Sequence, residues 1–148
     1  MELSERLTAG SLFILLLIIV HALEPPVRPA RPEKPVAIPS VVLHASAEQT
    51  GAPGARCWHG ECTSPSAPPR PAPAVALTNR TVRFAIDGPA PTGGTLRVLF
   101  QPIETPVQLH GKELSARLPD ALHGRIRFLL ALTWPQGKAD YGFWVQLP

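Results

Sequence analysis

The chain has 148 residues and a net charge of +3, from Lys+Arg 14 against Asp+Glu 11, which is room for one ordinary domain. Its 19 prolines crowd the part before Ala74 and leave roughly 75 residues able to form a regular hydrophobic core, near the lower size limit for an unaided one. The basic side chains are scattered and never form a stripe interleaved with aromatics, so composition excludes a nucleic-acid-binding surface.

The first element is apolar. Leu7 to Leu23, "LTAGSLFILLLIIVHAL", carries no charged side chain, and Leu12 to Val20 is wholly aliphatic or aromatic. A helix over this stretch reaches roughly 25 Å, the short end of what spans a bilayer. Pro25 and Pro26 follow at once, and there is no polar face such as a surface helix of a soluble domain presents. We expect a short tail over residues 1–6 and a transmembrane anchor over residues 7–23. The alternative is a secretory signal cleaved after Ala22, because Val20-His21-Ala22 has the small-residue pattern of a cleavage site. Glu2 and Glu5 beside the lone Arg6 make a poor basic n-region and favour the anchor. Arg28, Arg31 and Lys34 outnumber Arg6, which by count alone would hold the C-terminal side in the cytoplasm. A stiff arm carrying a β domain suits the other side, and the expected location is single-pass with the C-terminal domain outside the cytoplasm.

Residues 24–73 read as an extended, proline-rich linker. From Pro25 to Pro39 a proline recurs at nearly every third position, which favours polyproline II and a spacer of roughly 50 Å. "SPSAPPRPAPA", Ser64 to Ala74, repeats the composition. "PPVRP" and "PPRP" also have the chemistry of ligands for aromatic-lined grooves. Between the two stretches, the apolar run Val41 to Leu43 suits either an added edge strand or a transient contact.

The linker holds the chain's two cysteines in "CWHGEC", Cys57 to Cys62. In an exported segment oxidation is the default, and we expect a disulfide that pins the arm against the domain. Two alternatives use the same loop. Cys57, His59 and Cys62, joined by His44, His110 or His123, would offer soft ligands to Cu(I) or zinc, although no second ligand pair stands at the usual spacing. A thiol-redox pair would normally be C-x-x-C opening a helix. No metal or cofactor is expected.

Residues 74–148 show alternating β-formers punctuated by turn residues, and the fold expected is all-β, a small antiparallel sandwich of immunoglobulin type. "TVRFAI" sends Val82, Phe84 and Ile86 inward. "TLRVLF" sends Leu96, Val98 and Phe100 inward after a hairpin turn at Gly93-Gly94. A hairpin near His110-Gly111 places Leu114, Ala116 and Leu118 inward. "RIRFLLALTW" and "ADYGFWVQL" bury Ile126, Phe128, Leu130, Leu132 and Trp134 against Tyr141, Phe143, Val145 and Leu147. With Pro135 and Gln136 as the turn, Phe128 opposes Phe143, and Arg127 opposes Trp144 on the outer face, where a cation–π contact can form.

Leu99, Leu129 and Trp144, with Arg127, fall on the face expected to be wet, and such an apolar group marks either a covered surface or a partner-binding patch. No G-x-S-x-G, H-E-x-x-H or phosphate-binding loop occurs, and Asp87, Asp120 and Asp140 read as solvated carboxylates. Asn79-Arg80-Thr81 is a glycosylation sequon, of consequence only in a secretory lumen. The function expected is a non-enzymatic, membrane-anchored module that binds a protein partner. The alternative is metal handling or thiol-redox chemistry at the Cys57–Cys62 loop.

Overall fold

In a strand, successive side chains point to opposite faces, so apolar residues two apart must find a common layer to be buried. The structure, a computed structural model, describes residues 37–65 and 72–148. There the chain satisfies that demand with twelve strands: β1 Ser40–His44, β2 Glu48–Thr50, β3 Ala52–Trp58, β4 Glu61–Thr63, β5 Val75–Ala76, β6 Thr81–Asp87, β7 Gly93–Val98, β8 Ile103–Pro106, β9 Gln108–His110, β10 Glu113–Arg117, β11 Gly124–Trp134 and β12 Gly137–Leu147. Among the described residues there is no helix long and apolar enough to cross a membrane. Residues 1–23 and most of the first proline-rich stretch lie outside the described residues, as does much of the second.

The strands make two sheets. The first has five strands in the order β2-β1-β6-β10-β9. The second has seven, in the order β4-β3-β12-β11-β7-β8, with β5 beside β12. All pairings are antiparallel except that of β5 with β12, which is parallel. The two inner faces meet in a core where Phe84 of the first sheet packs on Phe128 and Phe143 of the second, with ring centres 6.0 and 5.2 Å apart. These three rings are buried, with Val41, Leu43, Val82, Leu114, Leu130 and Leu132 around them. Full burial of each such side chain contributes about 1.5–3 kcal/mol relative to exposure.

The longest ladder follows the expected register. Phe128 opposes Phe143, Leu130 opposes Tyr141, and Trp134 opposes Gly137 across the turn Pro135–Gln136. Val82, Phe84, Ile86, Leu114, Ala116 and Leu118 are buried as their alternation demands. A turn at Gly111–Lys112 joins β9 to β10, with His110 opposite Glu113.

Three expectations are corrected. The stretch 40–63, expected to belong to the linker, forms β1 to β4 inside the unit Val36–Pro148. Val41 and Leu43 reach the core there, and β1 sits between β2 and β6 rather than at the edge. Pro53 is accommodated in β3 because it faces Tyr141 beside an irregularity in the β3–β12 register, where ladder hydrogen bonds are already interrupted.

Gly93 and Gly94 begin β7 instead of making a turn, opposite Thr133 and Leu132. A Cβ on Gly94 would come within 2.7 Å of Leu132 Cδ2.

Phe100 is not inward. The strand ends at Val98, which pairs with Ile103, and the chain turns through Leu99–Pro102. Phe100 takes φ 66° there and is 99% exposed.

Candidate functional site

The outer face of the second sheet collects the residues of interest by register. Arg97 on β7 opposes Leu129 on β11, and Leu129 opposes Gly142 on β12. One step along the face, Arg127 opposes Trp144, and Leu99 donates its N–H to the Arg127 carbonyl at 3.0 Å. Leu99, Leu129, Trp144 and Arg127, grouped from the sequence, therefore lie side by side, each half-buried.

Trp144 is held from two directions. The guanidinium carbon of Arg125 stands 4.9 Å from the ring centre and that of Arg127 5.5 Å, both within reach of the ring's negative face. Gly142 leaves a floor for Arg127: a Cβ there would sit 3.5 Å from Nη2 and 3.8 Å from Nε. Arg127 Nε is buried without an acceptor. Arg125 donates through Nη2 to the Ala72 carbonyl at 3.1 Å. Neither Arg97, Arg125 nor Arg127 is within ion-pair distance of a carboxylate among the described residues.

The acidic groups of this face sit near Arg97. Glu104 on β8 is its cross-strand neighbour. Asp140, expected to be a solvated carboxylate at a strand start, lies inside β12 opposite Ala131. Burial pushes its pKa up, against the opposing charges of Arg97 and Lys138. Asp87 closes β6 and Asp120 lies in the β10–β11 connection, beside Arg80 and Arg117.

Gln49, which nothing in the sequence singled out, supports the patch from beneath. On β12, β3 pairs as far as Gly142 and β5 begins at Val145. The Trp144 N–H falls in the gap and donates to Gln49 Oε1 at 2.9 Å, while Gln49 Nε2 donates to the Pro73 carbonyl at 2.8 Å. Gln49 is 9% exposed, so its amide supplies backbone partners that water could not.

The cysteine loop has a structural assignment. Cys57 and Cys62 are directly opposed on β3 and β4 and form a disulfide. It ties the two strands of one hairpin, not an arm to a separate domain. His59 and Gly60 form a two-residue turn with φ 50° and 82°, the left-handed pair that such hairpins require. Trp58 turns into the core and meets Trp134 edge-on at 5.5 Å.

Both sulfurs are thus committed to each other. The histidines proposed as co-ligands are dispersed: His44 pairs with Glu48 at 3.1 Å on the first sheet, His110 ends β9, and His123 lies by Arg80 and the Pro148 carbonyl. Among the described residues no group of three or more His, Cys, Asp and Glu is arranged to hold a metal ion.

The sandwich has two distinguishable poles. At one, Pro39 leads into β1 and abuts Gly88, and its carbonyl accepts a hydrogen bond from the buried Tyr141 hydroxyl at 2.5 Å. Thr92 N–H bonds the Thr133 carbonyl there, so this pole also carries the Pro135–Gln136 turn. β7 runs away from it, and the opposite pole carries Phe100 beside the start of β11 at Arg125.

Comparison with protein-family models, curated proteins and solved structures gives no match.

Proposed function

We propose that the chain is a non-enzymatic, single-pass membrane-anchored module that presents an immunoglobulin-like sandwich outside the cytoplasm and binds a partner protein through the outer face of its second sheet. The observation that carries this reading is the patch itself: guanidinium groups with no carboxylate partner among the described residues gathered around Trp144, and a fully exposed Phe100 one residue beyond Leu99, whose N–H bonds the Arg127 carbonyl. Residues of this kind, aromatic and arginine, dominate the energetics of protein contact surfaces.

Other features support the remaining parts. The strand orders β1-β6-β10-β9 and β12-β11-β7-β8 correspond to the A-B-E-D and G-F-C-C′ orders of immunoglobulin-type sandwiches. The Cys57–Cys62 disulfide suits an oxidising, extracytoplasmic compartment. The apolar segment 7–23 supplies the anchor and the proline-rich stretch after it the spacer.

The test is site-specific photo-crosslinking in intact cells. Crosslinkers at positions 100 and 129 should capture a distinct protein, and one at Arg83, on the outer face of the first sheet, should not. Capture from all positions alike, or from none, contradicts the assignment. Protease added outside the cells should degrade the domain in the same preparation.

A further inference from the structure

The chemistry of the partner can be narrowed; this inference rests on the interaction reading above. Two independent features meet at the pole distant from Pro39. The first is unbalanced positive charge. Glu104 and Asp140 are the acids of the outer face, and both belong to the surroundings of Arg97. Arg125 and Arg127 are left over Trp144 with no ion-pair partner among the described residues. The second is Phe100, which holds its ring in solvent at the hairpin tip with φ 66°. L-residues with bulky side chains avoid that conformation, and its occurrence points to a role beyond the fold.

We propose that this pole binds an extended acidic segment of a partner protein. Carboxylates of the segment pair with Arg125 and Arg127, and apolar side chains flanking them pack on Trp144 and, at the hairpin tip, on Phe100. Guanidinium groups match carboxylates in planar, two-point geometry, and the ladder of Leu129, Gly142 and Ala131 offers low relief for an extended chain beside them. Anionic lipid headgroups would satisfy the same charges. The register favours the peptide, because Arg97, Arg125 and Arg127 share one sheet face, along which an extended chain can run.

The experiment uses the full-length chain in discs of zwitterionic lipid. The probes are a fluorescent synthetic peptide of alternating Glu and Leu, its Lys and Leu counterpart, and phosphatidylglycerol vesicles, with binding followed by anisotropy and co-sedimentation. The acidic peptide should bind, and the Lys counterpart should not. Combined Arg125→Glu and Arg127→Glu should weaken binding about tenfold or more. Phe100→Ser should weaken it about tenfold. Arg83→Glu on the first sheet should leave it unchanged, with circular dichroism verifying that every variant is folded. Equal binding of the Lys peptide, insensitivity to the Arg125, Arg127 and Phe100 changes, or Phe100-dependent binding of vesicles alone would each overturn the proposal. If the acidic peptide fails while position 100 still crosslinks a protein on cells, the acidic chemistry falls and the contact face stands. If both fail, both fall.

Discussion

Arg127 and Trp144 are directly opposed across the β11–β12 ladder, and the guanidinium carbon of Arg127 stands 5.5 Å from the centre of the indole ring. Arg125 approaches the same ring at 4.9 Å, so either arginine can be lost without freeing the ring. A double-mutant cycle with Arg127→Ala and Trp144→Ala, read by chemical denaturation, should give a coupling of about 0.5–1 kcal/mol. A coupling indistinguishable from zero would show the contact to be geometry without energy.

Phe100 separates stability from binding. Phe100→Gly removes a left-handed Phe and should leave the stability unchanged or raise the unfolding free energy by up to about 1 kcal/mol. The same change should remove contacts made by position 100. A loss of stability would mean that the ring packs on its own domain.

Gln49 is expected to matter more than its surface-type chemistry suggests. Gln49→Ala leaves the Trp144 N–H and the Pro73 carbonyl without their partners and should cost about 1–3 kcal/mol. Hydrogen exchange at the Trp144 amide should accelerate in the variant; unchanged protection would remove the support role.

Tyr141 links the fold to alkaline pH. Burial pushes its hydroxyl up to about 12 from an ordinary 10.0, with Arg56 opposing. The folded state therefore keeps the phenolic proton that the unfolded chain gives up first. The contribution is whole below about pH 10 and is lost as pH climbs through about 12. Denaturation midpoints measured over that window should fall less steeply for Tyr141→Phe than for the unmodified chain. Parallel slopes would contradict this.

The Cys57–Cys62 disulfide closes a short hairpin, so on the chain-entropy model its loss should cost about 2 kcal/mol or less. Cys57→Ser with Cys62→Ser should retain the fold, because Trp58 still packs on Trp134. Thermal unfolding of the double variant gives the comparison, and failure to fold would show the bond to be essential.

The parts of this fold legible in sequence are those where one periodicity runs unbroken. Ile126 to Trp134 and Tyr141 to Leu147 alternate cleanly, and Pro135-Gln136-Gly137 fixes their turn, so the facing of Arg127 and Trp144 follows from counting. Before Ala74 only the run Val41–Leu43 carries a strand signal; β3 is not legible because Pro53, Gly54 and the surrounding prolines carry the composition of a linker, while its pairing with β12 depends on residues far along the chain. The outward turn of Phe100 is not legible, because the residue continues the parity of Leu96 and Val98 and no Gly or Asn marks the position that turns left-handed. Gln49 gave no signal at all: its importance comes from a gap between β3 and β5 that exists only once both lie along β12. The patch was thus visible as three apolar side chains and one arginine, but its second arginine, its exposed aromatic and its support were not.

The most direct test of the contact surface is radical footprinting of side-chain oxidation, performed on the protein in intact cells and on the purified full-length chain in lipid discs. Phe100 and Trp144 should be oxidised several-fold less in cells than in isolation, while His44 and His110, exposed on the first sheet, should react equally in both. Equal oxidation of Phe100 and Trp144 in the two preparations would contradict the account.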